Sequence, residues 1–430
     1  MEARSRVSLP LGTEEEQAYL PDGWGIDLVA PMGPADLPDP AAALTEALDS
    51  PIHSLPLAKR LPASDELLVV ACPECRRDGT AELLDVLLAY LGQQGCASSR
   101  IHLGPCGPSF GRAELAELLG EERIAAHPIF ERDPKGSLRA VGHTSLGTPV
   151  AFDRGLWDFA LIVVVGRVAH HPVLGFSGAR ELLVRCAAAP ETIRTAMGRS
   201  DPQSGQAGLA GRLARNAAHA DLLEAALLPG LPVFAIHCIR GSRPGAFAGF
   251  WAGDLRKAHH SACKAYLGWR VFAFQQPFDL LLSASGGDPL DRDPIACLQG
   301  LANACGLLAP GGVAIHLAAC SDPEPARRLG ALAPYDPAAL RARLLAGFDE
   351  ACFAALAARE RAAHHRILLV SGLAEALVRE LGLEPASSFA EALERIIPEL
   401  PPNHRTALFP DAAGLLPMPG RQASLGPLVS

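Results

Sequence analysis

No apolar run in this chain reaches the roughly 20 residues needed to cross a bilayer. Its opening residues, MEARSRVSLPLGTEEEQ, lack the apolar core of a secretory signal. A membrane-spanning or exported protein is therefore not expected. Aromatic residues make up only 5% of the chain, and no basic run is interleaved with them. Together with a net charge of -9, this argues against a nucleic-acid surface. No internal repeat recurs at a fixed period, which removes solenoids and propellers. Lysine is scarce beside alanine, arginine, glycine and proline, a bias that reads as GC-rich coding rather than function. The eleven cysteines stand at irregular spacing without a secretory signal, so they read as reduced thiols in the cytoplasm. What is present is ordinary for a soluble enzyme-sized chain: 430 residues, 49% hydrophobic and 20% charged, enough for two or three domains with proper cores.

Periodicity then gives an alternating order of strands and helices. Strands are expected near 7–11, 25–29, 67–71 and 100–103, then at 161–165, 233–236, 247–250, 278–283, 311–316 and 366–370. Asp39 is placed to cap a helix that opens at Pro40 and runs through Leu48. Leucines 83, 84, 87, 88 and 91 fall on one face of a helix over 81–91. Further helices are expected at 112–119, 180–188, 219–228, 337–345, 348–360 and 389–397, with one more ending near Gly306. This βα order predicts two α/β domains with mainly parallel sheets. The expected division is 1–268, 269–405 and a Pro/Gly-rich tail, 406–430, that packs back on the first domain or stays partly loose.

The chain is organised around 161–193, LIVVVGRVAHHPVLGFSGARELLVRCAAAPETI. Five apolar, mostly β-branched residues form a strand buried on both faces. It is followed by Gly166, Arg167, the pair His170-His171, and Gly175-Phe176-Ser177-Gly178. A loop with ionisable groups and glycines at the carboxyl end of a buried strand is where α/β proteins place their chemistry. Upstream, Cys72 and Cys75 form a Cys-x-x-Cys pair with Arg76 beside it. Taken alone, that pair reads equally as half a metal site, a redox pair or two ordinary thiols.

The central stretch resembles the signature of the nickel-dependent lactate racemase family, G-R-V-E-P-H-x-x-A-G-[FY]-S-G-G-x-K followed by T-I-x-x-N-H. Gly166, Arg167, Val168, His171, Gly175, Phe176, Ser177, Gly178, Thr192 and Ile193 fall into register. Gly142 to Val150 resembles a further family phrase, read as a structural turn between strands. Gly253-Asp254 with His259 resembles G-D-x-x-x-A-H, and Ser285 to Asp291 resembles S-G-G-x-P-L-D. The resemblance implies two α/β domains with an active-site cleft between them, and a racemase or epimerase of 2-hydroxy acids using a nickel-pincer nucleotide. It implies His171 as a catalytic acid/base group, and Arg76, Arg167, Ser177 and Gly178 as cofactor-binding positions.

The reactive positions depart from the family. No histidine stands between Pro105 and Pro108, where the second acid/base group belongs; Cys106 is nearest. Glu181 stands opposite the anchoring lysine, Met197 opposite the nickel-ligating histidine, and Ile295, Ala296 and Gln299 opposite Y-Q-x-x-K. The expectation is therefore a divergent family member that does not run the nickel-pincer reaction. Three alternatives stay open. One is an active 2-hydroxy-acid isomerase with altered cofactor binding. The second is a zinc-dependent enzyme using Cys72, Cys75, Cys106 and His171, which the family geometry brings to one pocket. The third is a non-catalytic binder of a small acid or nucleotide, with Arg76, Arg167 and Arg180 supplying anion recognition. A small-molecule hydroxy acid or other small anion is the expected ligand, and association of identical chains stays open.

Overall fold

Runs of leucine, valine and isoleucine become the sheet centres of two α/β units in a computed structural model of the chain. It describes residues 5–21, 23–30, 36–71, 80–105, 115–116, 119–130, 138–199, 210–243 and 245–420. One unit comprises the described residues of 33–200 and 208–269, the other those of 1–32 and 270–430.

The first unit holds a five-stranded sheet in the order Phe247–Gly253, Val233–Arg240, Leu161–Arg167, Leu67–Ala71, Ile101–Pro105. Only the Phe247–Gly253 pairing is antiparallel. Leu161–Val165 occupies the centre and every one of its side chains is buried, as its unbroken apolar run predicts. Each such side chain contributes about 2 kcal/mol by leaving water. One face packs Leu67, Val69, Leu161, Val163, Val165, Phe234 and Ile236 against Leu84, Leu87 and Leu91 of the helix Thr80–Gln93. On the first helix, Asp39 accepts the Ala42 amide at 2.9 Å and Pro40 fills the first turn, as the sequence anticipates. Gly142–Val150 forms the turn between antiparallel strands Leu138–His143 and Pro149–Asp153. Buried Asp221 accepts the hydroxyls of Thr144 and Thr148 there.

The second unit holds a six-stranded, all-parallel sheet in the order Glu384–Ala386, Arg366–Ser371, Leu308–Ala318, Phe278–Ala284, Thr406–Phe409, Ile26–Leu28. This corrects the expected division at both ends of the chain. Residues 5–30 lie with the second unit: Ile26–Leu28 is its edge strand, and the hairpin Ser5–Leu11/Glu14–Leu20 buries Val7, Leu9, Ala18 and Leu20 in its core. The described part of the tail, 406–420, is likewise part of the second unit. Thr406–Phe409 inserts between two strands, and Leu416–Pro419 pairs with Val271–Phe274. The physical reason is length. Four residues bury Thr406, Ala407 and Phe409 inside a sheet, yet such a run is too short to stand out between prolines and glycines. Among the described residues no helix is long and apolar enough to cross a membrane, and the eight described cysteines are buried.

Candidate functional site

At the end of Leu161–Arg167 the chain makes a narrow hairpin, His170–His171 against Gly175–Phe176, and enters the helix Ala179–Ala187. Two glycines permit this path. A Cβ on Gly166 would overlap the Ala179 amide, and one on Gly178, where φ is +145°, would overlap the His259 ring. Gly178 thus brings the helix start against buried imidazoles. Ser177 is a backbone strut: its hydroxyl donates to the Arg167 carbonyl at 2.9 Å and accepts the Ala169 amide at 3.0 Å. Arg167 is half-buried at the strand end.

His171 is half-buried. Its Nδ1 accepts the amides of Val173 at 3.1 Å and Leu174 at 3.0 Å, and its Nε2 lies 3.9 Å from Glu181 Oε1. Neighbouring His170 meets the Tyr266 hydroxyl through Nδ1 at 2.7 Å. Glu181 is 4% exposed and accepts Arg185 Nη1 at 3.1 Å. Burial works to raise its carboxyl, but the charges of His171, Arg185 and Arg180 outweigh that and hold it below the ordinary carboxylate range. Met197, opposite the nickel-ligand position, is 1% exposed at the end of the helix Pro190–Met197. Ile295, in the other unit, is buried in the helix Pro294–Ala304.

Arg180 corrects the sequence reading most clearly. Expected as an anion-recognising or solvent-facing charge, it has 0% exposure. Its Nη2 donates to the carbonyls of Phe176 at 2.8 Å and Leu174 at 3.3 Å, and its Nη1 packs on the His259 ring. That ring points Nε2 at the Ser177 carbonyl, 2.9 Å away. Behind it lie His237, at 5.2 Å between ring centroids, and His219, at 6.4 Å. Burial, reinforced by the Arg180 charge, pushes His237 and His219 down to about 3 and His259 well below its ordinary value. Burial raises the Cys263 thiol beside them. The cluster is thus one guanidinium among neutral groups, with Glu181 as a nearby countercharge. Sequence reasoning quoted Arg180 and His259 but missed His237 and His219. Inside the strand Val233–Arg240, a lone histidine among apolar neighbours gives no local signal.

Cys72, Cys75, Arg76 and Cys106 lie outside the described residues. Among the described residues no group of three or more His, Cys, Asp and Glu could hold a metal ion. A nitrogen that accepts two amides carries no proton, so neutral His171 holds its proton on Nε2. That leaves no lone pair there for zinc while this hairpin geometry persists.

Residues 11–203 match the lactate racemase N-terminal domain. The lactate racemase of Lactiplantibacillus plantarum is 23% identical over 385 residues, 86% of this chain and 89% of that enzyme. The lactate racemase of Thermoanaerobacterium thermosaccharolyticum is 23% identical over 280 residues, 64% of this chain, and the match spans 65% of that enzyme's length. The fold is similar to the lactate racemase apoprotein of T. thermosaccharolyticum, with a TM-score of 0.79 at 19% identity over 96% of this chain and all of that one. A Thermotoga maritima protein gives 0.64 at 16% identity, over 89% of this chain and 99% of that one. Residues 11–203 thus carry a lactate racemase N-terminal domain, and the chain as a whole is similar to lactate racemases in sequence and in its α/β fold.

Proposed function

We propose that this chain binds a small 2-hydroxy acid, or a small anion of similar shape, at the His171 hairpin and does not racemise it through a nickel-pincer nucleotide. The observation that carries this reading is Glu181. At the position where the family resemblance implies an anchoring amine stands a buried carboxylate, kept low by the neighbouring guanidinium charges of Arg185 and Arg180. A carboxylate cannot form the amide-type link. Buried Met197, opposite the implied nickel-ligating imidazole, supports the same conclusion. The residues present do not fit that cofactor.

What the hairpin does supply suits an acid. In its neutral form His171 presents an Nε2–H, a donor for a carboxylate or hydroxyl oxygen. Arg167, half-buried at the end of the strand Leu161–Arg167, is a candidate for recognition of the carboxylate. The test is maturation of the full chain with the nickel-pincer pathway, followed by chiral separation of products from L-lactate and intact-mass measurement. No D-lactate above background and no covalent adduct are expected, and robust racemisation overturns the reading. Titration with L-lactate should move the His171 resonances, and unchanged resonances overturn the binding half.

A further inference from the structure

The tautomer of His171 depends on amides that the hairpin itself must hold in place. Val173 and Leu174 both aim their N–H groups at Nδ1, and the carbonyls of the same turn are each gripped from outside. Asn216 Nδ2 donates to Val173 O at 2.9 Å, and the Gly211 amide donates to Gly175 O at 2.8 Å. Arg180 alone takes two carbonyls, those of Leu174 and Phe176. Those two residues flank Gly175 where the turn enters the second strand, and Leu174 is also one of the amide donors to His171. The guanidinium can do this because it has little freedom of its own. It starts the helix Ala179–Ala187, is fully buried, and is packed on the His259 ring. A planar, multi-donor group satisfies two divergent carbonyls at once, which a lysine amine on a flexible stem does less well.

We infer that Arg180 is a positioning residue which, by clamping the Leu174 and Phe176 carbonyls, fixes His171 as its Nε2–H tautomer and makes it a hydrogen-bond donor to the bound acid rather than a resting base. The donor role rests on the proposed acid-binding reading, whereas the tautomer does not. Without the clamp the Leu174 peptide can rotate, Nδ1 loses an acceptor bond, and the two neutral tautomers become comparable in energy.

Long-range proton–nitrogen correlation spectra of the full chain test this, with the His171 signals identified by their loss in His171→Gln. The unmodified chain should show a pyridine-like Nδ1 and a pyrrole-like Nε2. Arg180→Met should give a mixed pattern and weaken L-lactate binding at least tenfold, with Arg180→Lys intermediate on both readings. A protonated Nδ1 in the unmodified chain overturns the inference, as does an unmodified pattern in either variant. Should Arg180→Met fail to fold, Arg180→Lys and the unmodified chain still decide. Absence of lactate binding with the tautomer as expected sinks the acid-binding reading and leaves the positioning role standing.

Discussion

Each unit buries one imidazole completely in the middle of a sheet, and the two are treated in opposite ways. In the six-stranded unit, His316 on Leu308–Ala318 meets Ser283 Oγ through Nδ1 at 2.8 Å and Ser285 Oγ through Nε2 at 2.9 Å. In the five-stranded unit, His237 on Val233–Arg240 has no hydrogen-bond partner on either ring nitrogen among the described residues. Both have 0% exposure, and burial pushes both down to about 3. A satisfied buried imidazole completes a packed layer. An unsatisfied one, grouped with Arg180, His259 and His219 beneath the signature hairpin, marks where this fold tolerates local cost. Orphaned polar atoms occur in both units, and what sets this group apart is that three of its members, Arg180, His219 and His237, each carry at least one within a single cluster.

The largest effect expected from this comparison is acid instability. His219, His237, His259 and His316 all titrate lower folded than unfolded. Their contribution is therefore intact above pH ~6.5 and is lost as pH falls toward 3, because the unfolded chain binds protons that the folded one refuses. Each of the three pushed to about 3 costs about 1.6 kcal/mol between pH 6.5 and 5, on the order of 5 kcal/mol together, a large share of a typical domain's stability. Urea unfolding at the two pH values measures it, and a pH-independent midpoint would break the account.

Next in size is Gly178→Ala, expected to destabilise by about 3 kcal/mol, since its Cβ meets the buried His259 ring at a positive φ. The loss should appear in urea unfolding together with perturbed His259 resonances. The sharpest contrast is smaller. His316→Leu takes one partner from each of two buried serine hydroxyls, leaving Ser283 its longer bond to the Ile315 carbonyl, and should cost about 2 kcal/mol. His237→Leu removes a group with no partner among the described residues and should be near neutral. Equal penalties in paired denaturation curves would erase the distinction between the two sites. The smallest change is Tyr266→Phe, which removes one hydrogen bond to His170 and should cost about 1 kcal/mol by the same measurement.

The sequence discloses what is local. The run Leu67–Ala71, the run Leu161–Val165 and the Asp39-Pro40 helix start stand where their residues indicate, because burial periodicity and capping act within a few positions. The destinations of residues 5–30 and of Thr406–Phe409 were illegible, since pairing partners hundreds of residues away leave no trace in a short strand. At the site, glycines and His171 were legible as a phrase. The burial of Arg180 was not: its sequence neighbours, Ala179 and Glu181, suggest an amphipathic surface helix, and only the tertiary packing of His259 and the hairpin carbonyls covers it.

Gly166 has a consequence for how such chains drift. Any side chain there would push the Ala179 amide away from the strand end, so the requirement to fold is enough to reject its replacement, whatever the protein does. Positions 181 and 197 require no glycine: a buried carboxylate and a buried thioether stand there within regular helices. Mutation therefore meets two different filters within one short phrase, a strict one on its spelling and a lenient one on its chemistry. A lineage can pass through that asymmetry and keep the phrase's spelling while the residues between its fixed glycines change.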